Sequence, residues 1–193
     1  MLDYIIGEIT ELSPTTCVLD NHGIGYEIFI NLIDYGFLDG KKNCKLYIHE
    51  SIREDAHQLF GFVDKRGRGL FRLLIGVSGV GPNTGRLIMS SMTADQIEDA
   101  ISSGNDSLLK SVKGIGGKTA QRIIVDLKDK INITESTLSS NSGGNGESYE
   151  DALSALTMLG FNILQSKKVL KKLFADSPSM SAEEAIRQAL KLL

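Results

Sequence analysis

Short apolar runs alternate with turn residues through the first 62 residues. The runs are YIIGEI, TTCVLD, GIGYEIFI, KLYIHE and HQLFGF, and clusters of Asn, Asp, Gly and Pro separate them at intervals of about 8 to 12 residues. This pattern is typical of a small all-β barrel. Five strands in this length fit an OB-type barrel, although the spacing alone also permits other small barrels.

The next segment, 63–131, contains an internal repeat. VSGVGPNTGRLI, which starts at Val77, matches VKGIGGKTAQRI, which starts at Val112, with five identities in twelve positions at an offset of 35 residues. A repeat of this length is seldom accidental. Each copy lies between two short apolar helices, so the predicted unit is a helix, a glycine hairpin and a helix. A capping box that begins at Thr93 predicts a connecting helix between the copies.

Polar and small residues dominate the segment 132–148, where 13 of 17 residues are Ser, Gly, Asn or Thr. Such a segment cannot bury enough apolar surface to fold, so it predicts a flexible linker. Residues 149–193 then carry helical stripes bounded by capping signals at Gly160, Asn162 and the pair Ser181–Glu184. The stripes predict a tethered three-helix bundle that docks another protein. The alternative is a helical tail packed against its own body.

The predicted architecture is therefore multidomain β + α. It consists of an OB-fold barrel (domain I, 1–62), a tandem helix-hairpin-helix domain (domain II, 63–131), the flexible linker (132–148) and a C-terminal three-helix bundle (domain III, 149–193).

Charge is distributed unevenly along the chain, whose formal net charge is −3. Domain I has 4 basic and 10 acidic side chains, domain II has 11 and 7, and the remaining residues have 6 and 7. Only domain II is basic, so any attraction to phosphate groups is expected to be local to it.

Composition narrows the class of protein further. The chain has no run of 18 apolar residues, and its N-terminus carries acids where a secretion signal carries lysines, so a cytosolic location is expected, without a membrane span or export. Cys17 and Cys44 belong to no CxxC motif or Cys/His cluster. Neither a disulfide framework nor a metal site is therefore expected, and both cysteines are interpreted as buried or half-buried apolar side chains.

The glycine hairpins have the chemistry of a phosphate site. At a helix start, several N–H groups lack partners within the helix, and the helix dipole places partial positive charge there. The turns Gly79–Gly81 and Gly114–Gly116 would let these N–H groups approach a phosphate closely, while Val80 and Ile115 are expected to face the helix pair. Such contacts ignore base sequence and weaken with salt. The candidate DNA-binding residues are Gly79, Val80, Gly81, Asn83, Thr84, Arg86, Lys113, Gly114, Ile115, Gly116, Lys118, Thr119 and Arg122.

Other functions fit these residues less well. ATP hydrolysis is disfavoured because the chain has no GxxxxGK[ST] loop, and GVGPNTG lacks the preceding strand of a dinucleotide fold. A nuclease that grips DNA with the same hairpins is the alternative in the enzyme class, but no catalytic constellation accompanies them. A single-strand-binding barrel is the other alternative, and it would depend on aromatic residues such as Tyr26 or Phe29.

The order of these features resembles the RuvA family, the Holliday junction-binding subunits of the bacterial branch migration complex. The resemblance rests on GIGYEIFI and REDAHQLFGF in the barrel, both hairpins, the polar linker and DALSALTMLGF in domain III. It implies a homotetramer without a cofactor that holds four-way DNA open in a square plane. It also implies that domain III engages the hexameric RuvB ATPase motor, and it suggests the RuvC resolvase as a further candidate partner.

The resemblance also implies roles for individual residues. It assigns Glu54 and Asp55 to an acidic pin near the fourfold centre, where carboxylates would repel phosphates and help to part the strands. A two-metal nuclease interpretation of this pair lacks the further ligands that it would need, so a non-catalytic subunit is expected. The candidate motor-binding residues of domain III are Leu156, Leu159, Leu170, Leu173, Ile186 and Leu190.

The chain departs from the family pattern at three positions. Asn83 follows Pro82 where a lysine is frequent, and Gly117 precedes Lys118 where a doubled lysine is common. Fewer charged contacts per subunit are therefore expected, unless Lys110, Lys113 or Arg86 compensates. Domain III has Asn162 near the position of an expected proline, which leaves the motor-binding surface less defined than the domain itself.

Overall fold

The computed structural model describes residues 1–139, 145–177 and 180–193, and it describes no side chains between 132 and 147 or at residue 150. The chain forms two compact units, residues 1–132 and 133–193.

Five strands at the start of the first unit close into a barrel in the order β1-β2-β3-β5-β4. Neighbouring strands are antiparallel except β3 and β5, which pair in parallel through two residue pairs only. The predicted five-stranded OB-type barrel is thus confirmed. The strands are β1 (Tyr4–Leu12), β2 (Thr16–Asn21), β3 (Ile24–Phe29), β4 (Asn43–Ile52) and β5 (His57–Phe62).

A short helix that the sequence pattern did not predict, α1 (Leu32–Leu38), connects β3 to β4. Its N-cap residue, Asn31, accepts a hydrogen bond from the Asp34 N–H at 2.9 Å. Inside the barrel, Cys17 is fully buried and Cys44 is half-buried against the same apolar core, as expected. Both cysteines therefore belong to the apolar core of the barrel.

Five helices follow the barrel and contain the two hairpins. The first hairpin joins α2 to α3 and the second joins α5 to α6, while α4 connects the copies. Thr93 caps α4 in a complete capping box with Gln96, which confirms the predicted connecting helix. The helices are α2 (Lys65–Ile75), α3 (Pro82–Ser91), α4 (Ala94–Ser102), α5 (Asp106–Lys110) and α6 (Gly117–Ser139).

The barrel packs firmly against α2. Phe60 of β5 stacks on Phe71 with ring centroids 5.3 Å apart, and both belong to the apolar core that the hairpin helices share. Buried Arg68 donates to the Asp3 carboxylate at 2.6 Å, and Arg72 donates to the Ile48 carbonyl at 3.3 Å. These contacts give the hairpins a rigid base.

Helical backbone enters both ends of the predicted linker, 132–148. Helix α6 continues to Ser139, and the next helix begins at Asn145, whereas residues 140–144 lie outside the described residues. Helical hydrogen bonds are local to a segment, so a composition argument about burial does not detect them.

In its described residues, the second unit contains the three helices of the predicted bundle, with a core of their own. Asn162 and Ser181 cap the second and third helices. Gly160, at φ 91°, follows the first. No helix in the described ranges is long and apolar enough to cross a membrane. The helices are α7 (Asn145–Met158), α8 (Ile163–Asp176) and α9 (Ala182–Ala189).

Candidate nucleic-acid interface

The two hairpins share one backbone geometry. The Val80 N–H donates to the Val77 carbonyl at 3.0 Å, and the Ile115 N–H donates to the Val112 carbonyl at 3.1 Å. The third residue of each four-residue turn is a glycine at φ 93°, namely Gly79 or Gly114. A type II turn requires a positive φ at this position. The sequence repeat is therefore also a structural repeat.

The residues between the glycines do not face solvent. Val80 is 4% exposed and Ile115 is 6% exposed, and the turns use the N–H groups of both. They fix each hairpin to the helices beneath it, and neither their side chains nor their N–H groups are available to a ligand.

The available donors lie just after the turns. The first hydrogen bond of α3 runs from the Gly85 N–H to the Gly81 carbonyl, and that of α6 runs from the Ala120 N–H to the Gly116 carbonyl. The N–H groups of residues 83, 84 and 117–119 precede these bonds, so they have no partner within their helices. Partial positive charge gathers at the same two points.

No side chain caps α3, whose N-cap residue is Gly81. Gly116, which accepts the first hydrogen bond of α6, has no side chain with which to cap. The other helices whose N-caps the structure describes do have side-chain caps. The capping residues are Asn31 (α1), Asp64 (α2), Thr93 (α4), Asn105 (α5), Asn162 (α8) and Ser181 (α9). The two hairpin helices thus present bare starts to solvent.

The protein's own packing does not require glycine at these helix starts. A Cβ atom placed on Gly81 or Gly116 would meet no protein atom within 4 Å, and neither residue has a positive φ. Gly81 has φ −86° and ψ 171°, an extended conformation that other residues adopt readily. Two reasons for glycine remain at such a position: its preference as an N-cap residue and the space that it leaves for close approach of an outside group.

Contacts between the repeats hold the two hairpins side by side. The Arg122 guanidinium donates to the Ser78 carbonyl at 3.1 Å. Thr119 Oγ1 lies 4.0 Å from the position that a Cβ of Gly79 would occupy. Arg122, proposed from the sequence as a donor to DNA, therefore links the first turn to α6.

The candidate cations differ in what they contact. Lys113 and Lys118 are exposed, and neither forms an ion pair within the part of the chain that the structure describes. Lys110, by contrast, pairs with Asp106 at 2.9 Å. The exposed side chain of Asn83 and the half-buried hydroxyl of Thr84 lie at the start of α3.

Arg86 is directed toward the barrel. Its guanidinium donates to the Thr15 carbonyl at 3.0 Å and lies 5.3 Å from the centroid of the Phe29 ring. Burial in this position lowers the pKa of Arg86. The contact joins α3 to the β1–β2 turn, so Arg86 supports the position of the first hairpin.

Glu54 and Asp55 form the tip of the β4–β5 hairpin. A hydrogen bond from the Arg53 N–H to the Ala56 carbonyl, at 2.8 Å, closes this turn. Both carboxylates are exposed and form no ion pair with another described residue. Among the described residues, no three His, Cys, Asp or Glu side chains are grouped so that they could hold a metal ion. Together with the adjacent exposed Arg53, the tip therefore carries a net charge of −1.

The structure separates the candidate motor-binding leucines into two groups. Leu156, Leu170 and Leu173 are buried in the core of the second unit, so a partner cannot contact them without opening the bundle. Leu159 and Leu190 are exposed, and Ile186 is half-buried. An apolar stripe predicts a buried helix face but does not reveal which of its residues remain outside the core.

Further exposed apolar residues of this unit escaped the sequence analysis. Met158, Leu164 and Leu192 are all more than half exposed. Met158 is the last residue of α7, and Leu164 is the second residue of α8. An apolar residue next to a helix end is therefore the sequence signal that could have identified them. Such a residue has no facing helix to cover it.

Three family models match consecutive parts of the chain. The model described as RuvA N terminal domain matches residues 1–61, SAM-like Helix-hairpin-helix tandem matches 71–129, and RuvA, C-terminal domain matches 147–193. Their order is that of the barrel, the hairpin repeat and the three-helix unit.

Curated relatives match along their whole length. A protein of Bacteroides thetaiotaomicron is 49% identical over 201 residues, which covers 100% of both chains. Relatives from Porphyromonas gingivalis and Flavobacterium psychrophilum are 43% and 42% identical, again with 100% of both chains covered. All three are named Holliday junction branch migration complex subunit RuvA.

Proposed function

Because this chain belongs to the RuvA family, we propose that it binds four-way DNA junctions through its twin hairpins, as a non-catalytic subunit of a branch migration complex. The observation that carries the proposal is the pair of bare helix starts at Gly81 and Gly116, where neither packing nor backbone conformation requires glycine. Main-chain N–H groups there would bind phosphate oxygens, and Lys113 and Lys118 would add charge.

This mode of binding does not depend on base sequence. Phosphate contacts fix a protein on DNA but carry no sequence information, and they weaken as the salt concentration rises. The Arg122 contact with Ser78 supports a fixed spacing between the two hairpins. Each subunit would thus grip two neighbouring phosphate positions of one arm.

The acidic tip supports a role at the crossover. Glu54 and Asp55 are exposed, and neither forms an ion pair with another described residue. A junction held open in a plane has fourfold symmetry, and we propose that four copies of the chain match it. Their carboxylates would then surround the crossover, repel phosphates and exclude an intact duplex from the centre.

The exposed apolar residues of domain III suit a docking role. Leu159, Leu164 and Leu190 remain uncovered by their own bundle. We propose that this surface binds the RuvB ATPase motor, which supplies the energy that a subunit without a catalytic centre lacks.

The RuvC resolvase, which would share the same junction, is proposed as a further partner. A protein that acts on chromosomal junctions would work in the cytoplasm.

A single-strand-binding barrel is less compatible with the structure. Between β3 and β5 lies a cavity of about 360 Å³, and Tyr26 and Phe29 are among its lining residues. Glu27 also lines it, however, and Glu27 forms no ion pair with another described residue. Negative charge at this place opposes the phosphates of a single strand.

Fluorescence anisotropy with four-way, duplex and single-stranded DNA tests the proposal. We expect the tightest binding to the four-way junction, with equal affinity for junctions of unrelated arm sequence, and no strand cleavage in the presence of Mg²⁺. Equal or tighter binding to single strands would favour the barrel alternative. Cleavage that Glu54→Ala abolishes would identify a nuclease.

A further inference from the structure

The β4–β5 tip carries one large apolar side chain that the proposed function does not use. Ile52, the last residue of β4, is 71% exposed. An isolated exposed apolar residue is ordinary on a protein surface. Ile52, however, immediately precedes the tip residues Arg53, Glu54 and Asp55, which are all charged and exposed. An exposed apolar side chain thus lies directly beside a charged turn.

A defined frame holds Ile52 beside a ring. Ile52 pairs with His57 across the antiparallel ladder, so their side chains are directly opposite on one face of the hairpin. His57 Nε2 lies 3.3 Å from Glu50 Oε1, and the other Glu50 oxygen accepts the Leu2 N–H at 2.7 Å. Glu50 thus fixes the orientation of the His57 imidazole. We call Ile52 and His57 the tip pair.

The charges around the tip pair select the part of DNA that can approach it. Glu54 and Asp55 carry two negative charges against the one positive charge of Arg53, so the tip as a whole repels the phosphate backbone. Nucleobases carry no net charge, their faces are apolar, and their amino groups can donate hydrogen bonds to carboxylates. A base that has left its pair could therefore lie against Ile52 and the imidazole, with its edge toward the acids.

We propose that the tip pair is a contact site for an unpaired nucleobase at the crossover of a four-way junction. Strand exchange requires base pairs at the crossover to open, and a base lying on the tip pair would be kept from closing again. This inference rests on the proposed function, because it requires the acidic tip to face the crossover.

A junction with 2-aminopurine at the crossover tests the inference, because the fluorescence of this base reports its unstacking. The variant is Ile52→Thr, which keeps the β-branched shape but has less apolar surface. The matched control is Ile24→Thr, at an exposed isoleucine that begins β3. A second label on a distant arm measures binding by anisotropy, and light scattering measures the number of subunits.

We expect the wild-type protein and Ile24→Thr to change 2-aminopurine fluorescence alike. Ile52→Thr should lose at least about half of that change, with affinity within about threefold of wild type and an unchanged salt dependence, because every phosphate contact remains. A full fluorescence change in Ile52→Thr would overturn the inference and leave the proposed function intact. An altered number of subunits would overturn it too, since Ile52 would then be a subunit contact. If the wild type showed no preference for the junction, the proposed function itself would fail.

Discussion

The proposed phosphate site combines two kinds of donor at the scale of single residues. The main-chain N–H groups at the helix starts are fixed in direction, whereas the ammonium group of Lys118 moves on a flexible stem. Lys118 is the second residue of α6, next to the bare helix start at Gly116, and it is exposed. It therefore adds charge to a site whose shape the backbone already sets.

Lys118→Ala should weaken binding to junctions of every sequence alike. The slope of log K against log salt should become shallower by about 0.9 for each phosphate that the variant no longer neutralises. The measurement is a salt titration of anisotropy with two junctions of unrelated sequence. Lys128→Ala, at another exposed lysine of α6, is the matched control and should keep the wild-type slope. An unchanged slope in Lys118→Ala would show that Lys118 does not contact a phosphate.

Asp34 is a buried acid at the start of α1. Burial raises its pKa to about 7. The hydrogen bond from Asn31 opposes this rise, and the negative charge of Asp64 adds to it. The unfolded chain holds this carboxyl near a pKa of 3.8, so the folded state binds the proton more tightly. Stability should therefore fall as pH rises from about 4 to 7.

Asp34→Asn removes this cost, because a neutral amide can still accept the Asn31 hydrogen bond. The variant should be more stable than the wild type at pH 8, by about 1–3 kcal/mol, and should lose this advantage near pH 4. Urea unfolding at both pH values, at equal protein concentration, measures the difference. Asp39→Asn, at an exposed position just after α1, should change little. An equal gain at both pH values would contradict the assignment.

The hairpin as an element uses glycine for two separate reasons. Gly79 and Gly114 adopt a positive φ, which other residues reach only with strain. Gly81 and Gly116 do not have a positive φ. A Cβ atom added to either residue would have no protein atom within 4 Å. A substitution at Gly114 therefore tests the turn, whereas one at Gly116 tests the space in front of the helix.

Gly116→Ala and Gly114→Ala should separate these two roles. Gly116→Ala should weaken junction binding by about tenfold, the cost of disturbing one hydrogen bond to a charged group, and change stability by at most about 0.5 kcal/mol. Gly114→Ala should also destabilise the fold, by about 1–2 kcal/mol. Binding isotherms and urea unfolding of both variants provide the comparison. If Gly116→Ala bound DNA normally, the glycine there would be a cap and nothing more.

The sequence predicted the elements that local pattern defines. The strands follow from alternation, and the hairpins follow from two glycine turns at a fixed offset. Helix α1 was missed because seven residues are too few to show a helical period. The partners of Arg86 and Arg122 were also missed, because Thr15 and Ser78 lie 71 and 44 residues away in the chain. Such interactions form only when distant segments pack together, so they cannot be read from the pattern of residues along the sequence.

The sequence of domain III also did not show which apolar residues lie in the core and which lie on the surface. Leu156 and Leu159 share one helical stripe, yet only Leu156 is buried. The apolar stripe is longer than the region in which α7 contacts the other helices. The residues of the stripe beyond that region therefore remain exposed. Docking residues can therefore be chosen only after the bundle geometry is known.

The whole molecule has two units with separate cores, and our proposal assigns junction binding to the first and motor docking to the second. Leu159→Asp should thus leave junction affinity unchanged and reduce the stimulation of the RuvB ATPase by about tenfold, because a charge would replace an apolar side chain at the docking surface. An ATPase assay with saturating junction DNA measures the effect. Ile24→Asp, at an exposed apolar residue of the barrel, is the control. Loss of junction binding in Leu159→Asp would contradict this division.

Hydroxyl-radical footprinting of a four-way junction tests the central claim most directly, by comparing the wild type with the double variant Gly81→Val/Gly116→Val. The wild type should protect sugar-phosphate positions on all four arms, in the same pattern for junctions of unrelated sequence. The double variant, with both helix starts filled and its circular dichroism unchanged, should lose that protection. An identical footprint from the two proteins would show that the hairpins do not hold the DNA.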